Sequence, residues 1–125
     1  MTAKAPYDTQ ACKLNRLAIR DSLELIGGKW SLLVVLLLGR QQEPMHFKQI
    51  QRALDGISAK VLTRELKLLE ENRILNRTVQ DTLPVTVTYA LTDYGKTLVP
   101  IARALQQWGK QHREVILENF RHSKK

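Results

Sequence analysis

Between Ser58 and Asn72 the side chains able to ion-pair or hydrogen-bond recur at a spacing that gathers them if the segment is helical. On a helical wheel Lys60, Arg64 and Lys67 fall within about 80° of one another, with Thr63 beside them. Leu62, Leu66 and Leu69 fall together on the other side, with Val61 and Leu68 at one margin. A helix divided in this way can rest on a core and turn cations and a hydroxyl outward, which is what a major-groove reader needs. In that chemistry Lys60 and Lys67 suit phosphates as point charges, whereas the planar fork of Arg64 suits a bidentate pair with guanine. Ser58 is a good N-cap for the segment, because its oxygen can take a backbone N–H of the first turn. A solvated helix face shows the same stripe, so the stripe alone leaves both readings open.

Other chemistries find little footing. His46, His112 and His122 have no metal-ligand spacing among themselves or with Cys12, and no Ser-nucleophile motif occurs. Gly27-Gly28-Lys29 lacks the upstream glycine and the following Ser or Thr of a phosphate-binding loop, and reads as a helix stop. No catalytic residue, metal or cofactor is expected. Cys12 is the only cysteine, which excludes an internal disulfide and a CxxC redox pair.

Whole-chain quantities bound the answer. The 125 residues match one domain, expected over 1–125, and their 43% hydrophobic and 26% charged content is that of a folded chain. A net charge of +8 favours a polyanion partner, nucleic acid or an anionic membrane. The longest apolar run, Leu32 to Leu38, is far shorter than the ~18–20 residues that span a bilayer, and no secretory signal is readable at Met1 to Gln10. A cytoplasmic setting without membrane contact is expected.

The elements that must hold the basic stripe follow from periodicity. A first helix is predicted over 10–26, ended by Gly27-Gly28, with apolar residues on two sides. Lys29 to Leu38 is apolar enough for a buried helix or a buried strand; Trp30, Leu33 and Leu37 fit i, i+3, i+7 and Gly39 supplies a stop, which favours a second helix. Phe47, Ile50 and Leu54 mark a short third helix, and Asp55-Gly56 a turn before the basic helix. The period then changes to two: Leu75, Arg77 and Val79, and later Val85, Val87, Tyr89 and Leu91, alternate as the strands of a hairpin whose tip is Asp81 to Pro84. Thr92 caps a last helix, expected over 92–120 and kinked at Pro100. Met1 to Thr9 and Arg121 to Lys125 are expected to fray.

This order, helix, helix, turn, capped basic helix and hairpin, is the winged helix-turn-helix plan. Five fragments in matching order resemble the HxlR-type family of bacterial transcriptional regulators. They are Gly27-Gly28-Lys29-Trp30; Leu54 to Thr63; Leu66 to Glu70; Pro84 to Tyr89; and Leu91 to Gly95 with Trp108 and Gly109. The resemblance runs from about Leu23 to Gly109. It implies an α+β, mainly α fold: a winged helix-turn-helix core over 29–91 with a two-stranded wing (73–91), and N- and C-terminal dimerisation helices. It also implies a homodimer that binds double-stranded DNA, Ser58 to Lys67 matching the family's recognition helix, Arg73 to Tyr89 its wing and Thr92 onward its dimerisation helix.

The residues point the same way. Leu98, Leu105, Trp108, Val115 and Ile116 form a long apolar stripe with little of a small domain left to pack on. A second subunit is the natural cover, shared with Leu14 and Leu17 of the first helix. The alternative is that Leu105, Trp108 and Val115 fold back on the first helix of their own chain. Departures from the family also matter. Thr86 stands where many members carry a basic residue, Asp81 sits at the wing tip, and His46 replaces a frequent arginine. Arg73 and Arg77 at the wing base are therefore the better phosphate candidates.

Several members of the family sense oxidants through a cysteine, which would make Cys12 a redox switch, with Lys13 and Arg16 as the kind of neighbours that favour a thiolate. Cys12 nevertheless lies eighteen positions before Trp30, upstream of the matching site near Leu17, and an inert thiol is the better expectation. A small-molecule or redox effector is possible and has no support in the residues. The rival functions are a nucleoid-type binder held by charge alone, suggested by the dispersed +8, and a winged-helix interaction module, suggested by the cation-free wing tip.

Overall fold

The computed structural model describes residues 9–123. Thr9 is ordered as the cap of α1 (Gln10–Ile26): its Oγ1 accepts the Cys12 backbone N–H at 3.2 Å and satisfies a donor of the first turn. The fraying expected over Met1 to Thr9 thus stops short of Thr9, and its remainder, like Lys124 and Lys125, lies outside the described residues. At the other end, Arg121 to Ser123 still belong to the last helix.

The chain turns at Gly27-Gly28, and α2 (Ser31–Arg40) departs at 74° to α1. The apolar run does form a helix, but its buried face is Ser31, Val34, Val35 and Leu38, while Leu33 is exposed and Trp30 and Leu37 are only partly covered. A segment apolar all round carries no periodic signal, so tertiary packing chooses its inner face. Gly39 does not stop the helix either. It lies inside the last turn, and a Cβ there would come within 2.9 Å of Val99 Cγ2, so the residue is small where the last helix passes.

A two-residue strand, β1 (Met45–His46), leads into α3 (Phe47–Ala53), where the Gln49 Oε1 accepts the His46 N–H at 2.8 Å. Beyond the Asp55-Gly56 turn lies α4 (Ala59–Glu71), followed by β2 (Leu75–Gln80) and β3 (Thr86–Leu91). The sheet is antiparallel in the order β1-β3-β2, with Leu75 opposite Leu91 and Met45 opposite Tyr89. The expected two-stranded wing is therefore part of a three-stranded sheet. A two-residue strand is too short for alternation to reveal it.

Thr92 does not cap the last helix; it stands three residues before a 3-10 turn (Gly95–Thr97) that its side chain holds. Its Oγ1 accepts the Gly95 N–H at 2.8 Å and donates to the Arg73 carbonyl at 2.6 Å. The last helix, α5, spans Leu98–Ser123 instead of 92–120. Pro100 falls in its first turn, where a missing N–H deprives the helix of nothing, and α5 continues past it without a break.

The core lies between α2, α3, α4 and the sheet, with Val35, Ile50, Leu62, Leu69, Ile74 and Leu75 almost wholly inaccessible. Among the described residues α1 buries none and α5 only Ala102. No single helix among them is long and apolar enough to cross a membrane.

Candidate nucleic-acid interface

Both ends of α4 are fixed by local hydrogen bonds. At the start, the Ser58 Oγ accepts the Val61 N–H at 3.1 Å. At the finish, Arg73 adopts a left-handed conformation, φ 62°. Its N–H reaches the Glu70 carbonyl at 3.0 Å while the Ile74 N–H reaches the Leu69 carbonyl at 2.8 Å, the paired bonds of a Schellman ending. Leu69 and Ile74 are both buried, so the apolar contact that accompanies this motif holds an arginine where glycine is usual.

Between these ends the two faces separate as the periodicity requires. Leu62, Leu66 and Leu69 are buried, and Lys60, Thr63, Arg64 and Lys67 are exposed. Among the described residues, no hydrogen bond or ion pair occupies the side chains of Lys60, Arg64 or Lys67, which leaves three cations available to a ligand. The hydroxyls are more committed. Thr63 Oγ1 donates to the Ala59 carbonyl at 2.8 Å and so faces outward as an acceptor, whereas Ser58 spends its oxygen on the cap and keeps its proton to donate.

Arg73 and Arg77 flank this face differently from each other. Arg73 belongs to the end of α4 and not to a wing strand; Arg77 is exposed in β2, opposite Tyr89. The wing tip carries Asp81 and a fully exposed Leu83, shaped by side-chain bonds from Thr82 Oγ1 to the Pro84 carbonyl (2.7 Å) and from Thr86 Oγ1 to Gln80 Oε1 (3.1 Å). Two further cations, Lys48 and Arg52, are exposed on α3. Their i, i+4 spacing is a sequence signal for a shared face, although a helix this short repeats it only once.

One contact to α4 has no local signal. The Ser31 Oγ, in the first residue of α2, donates to Glu65 Oε2 at 2.9 Å across 34 positions of sequence.

The other site residues lie away from α4. Leu14 and Leu17 on α1, and Leu105, Trp108, Val115 and Ile116 on α5, are about half exposed, with Trp108 at 60%; Leu98 packs partly on the core. The fold-back alternative for Leu105, Trp108 and Val115 therefore fails, since their own α1 leaves them open to solvent. Trp108 instead stacks on His112, ring centroids 4.8 Å apart. Cys12 sits half-buried in the first turn of α1 and forms no disulfide.

A family model described as HxlR-like helix-turn-helix matches residues 25–116. The chain is 40% identical over 88 residues to an uncharacterized HTH-type transcriptional regulator of Halalkalibacterium halodurans, spanning 70% of this chain and 77% of that protein. Among solved structures, the redox regulator HypR in its reduced form matches with a TM-score of 0.73 at 31% identity, over 81% of this chain and 98% of that one. The reduced form of the transcriptional regulator YodB from Bacillus subtilis matches with a TM-score of 0.66 at 34% identity, over 75% of this chain and 90% of that one.

Proposed function

The chain belongs to the HxlR-like helix-turn-helix family of transcriptional regulators, and from that premise we propose that it works in the cytoplasm as a homodimer reading a pseudo-palindromic operator in double-stranded DNA. The observation that carries this reading is the exposed, unpaired set Lys60, Arg64 and Lys67 on a helix whose opposite face is locked into the core. In the complex α4 enters the major groove. Arg64 pairs with a guanine edge; Lys60, Lys67, Arg73 and Arg77 neutralise phosphates; Ser58 donates to the backbone and Thr63 accepts from a base or sugar.

The dimer follows from what a single chain leaves uncovered. Leu14 and Leu17 on α1 with Leu105, Trp108, Val115 and Ile116 on α5, continued inward by Leu98, give two helices an apolar side that a second copy buries. Two-fold symmetry then sets the two α4 helices in successive major grooves about 34 Å apart.

Selection from a randomised duplex pool at near-physiological salt tests this, with wild type and a Lys60→Ala/Arg64→Ala/Lys67→Ala variant in parallel. An inverted repeat enriched by wild type alone is the expected result. Binding without a motif would mean a charge-driven nucleoid-type binder. Failure to bind any duplex would mean an interaction module.

A further inference from the structure

A stripe of leucines decides which side of α4 faces the core, but it does so loosely. Apolar contact is non-directional, so the burial of Leu62, Leu66 and Leu69 holds that face in the core without fixing a hydrogen-bond angle on the other. Reading a base edge is less tolerant, because a bidentate arginine needs hydrogen-bond geometry at both nitrogens, and sites built for recognition are held to about 0.5 Å and 10–20°. Something directional must therefore set the angle at which Arg64 leaves the helix.

Among the described residues, one side-chain hydrogen bond ties α4 to another helix: Ser31 Oγ to Glu65 Oε2, 2.9 Å. Ser31 is only 2% exposed and is fixed by the start of α2, whose Val34 and Val35 lie in the core. The helix it begins has no side-chain cap from Trp30 and no acidic residue in its first turn, so the Glu65 carboxylate also supplies the negative charge that α2 lacks at its positive end. Glu65 makes no ion pair with a described residue, and the ammonium of Lys29, two positions before Ser31, lies over the Trp30 ring, 4.9 Å from its centroid. Glu65 immediately follows Arg64, so a restraint on one is a restraint on the angular position of the other.

We propose that Glu65 is a positioning residue for DNA reading: held by the buried Ser31 hydroxyl, it pins the rotation of α4 and thereby aims Arg64 at its base. The inference rests on the DNA-reading role given above.

The test compares binding of two duplexes of equal length, the one enriched by wild type and a scrambled one, for wild type, Glu65→Ala, Glu65→Gln and Ser31→Ala. Both Glu65 variants raise the net charge equally, so they differ in whether a carbonyl remains to accept from Ser31. Glu65→Ala and Ser31→Ala should lower the ratio of specific to scrambled affinity by about fivefold or more, the low end of what one misread base pair costs, while Glu65→Gln keeps most of it. A merely structural role lowers the active fraction for both duplexes alike and leaves the ratio unmoved. Should Glu65→Ala fail to fold, Ser31→Ala and Glu65→Gln still give the comparison. An unchanged ratio in the alanine variants, with wild type discriminating, would overturn the positioning role and leave DNA reading intact; a wild-type ratio near one would overturn both.

Discussion

Arg73 answers two demands at once. The backbone there is left-handed, φ 62°, which glycine accepts freely and arginine does not. Arg73→Gly should therefore raise unfolding stability by about 1 kcal/mol in a denaturant titration, while lowering affinity for every duplex through loss of the proposed phosphate contact. No gain in stability would mean that the Leu69 and Ile74 contact holds the turn without strain. The roles proposed for the cations on α4 divide in the same way. Arg64→Ala should relax preference at one base pair, whereas Lys60→Ala or Lys67→Ala should weaken all duplexes and reduce the salt slope by about one each. Equal loss across sequences for Arg64→Ala would remove its base-reading role. The basic stripe and the Ser58 cap were legible in the sequence because both are set by spacings of three and four residues within a single helix. The conformation of Arg73 was not, because it depends on burial of Leu69 in α4 and of Ile74 in the turn beyond it, which only the assembled core provides.

The elements themselves were legible where one face is buried and the other wet, and obscure where that contrast is missing. In α4 the leucines and cations alternate with the helical period, so its bounds and its faces agree with the structure. Ser58→Ala should cost about 1 kcal/mol of stability, read from thermal or chemical unfolding, since it strips the Val61 N–H of its partner. In α2 the apolar residues surround the axis, and the inner face was decided by the sheet and by α5. The junction from β3 to α5 was read as one capped helix because Thr92 has the right type. The structure spends that hydroxyl on holding a 3-10 turn, packed so tightly that a Cβ on Gly95 would lie 1.8 Å from the Ile74 carbonyl oxygen. Backbone cannot yield as a side-chain tip can, so Gly95→Ala should destabilise by about 3 kcal/mol or leave the chain unfolded, as circular dichroism would register.

At the scale of the whole molecule, the partition of apolar surface is the informative feature. Half-exposed Leu105 and Trp108 on a 26-residue helix that buries only Ala102 make α5 a poor helix for a lone chain and a good one for an interface. Trp108→Glu or Leu105→Glu should shift sedimentation from dimer to monomer with the fold retained. Loss of operator affinity should exceed loss of non-specific affinity, because two linked half-sites are read only by a dimer. A dimer that survives both substitutions would move the interface off this face of α5.

What the sequence determined by itself was local: the helices, the Ser58 cap, the hairpin, the leucine stripe and the cations opposite it. Each is written in spacings of two to four residues, where backbone geometry alone dictates which side chains meet. The tertiary structure decided what depends on neighbours far along the chain. It chose the buried face of α2, added β1 to the sheet, kept Gly39 and Gly95 small, turned Arg73 left-handed and brought the Ser31 hydroxyl to Glu65. Those outcomes follow from close packing between elements, where the partner's shape and hydrogen-bonding needs select among states that local propensity leaves equally open.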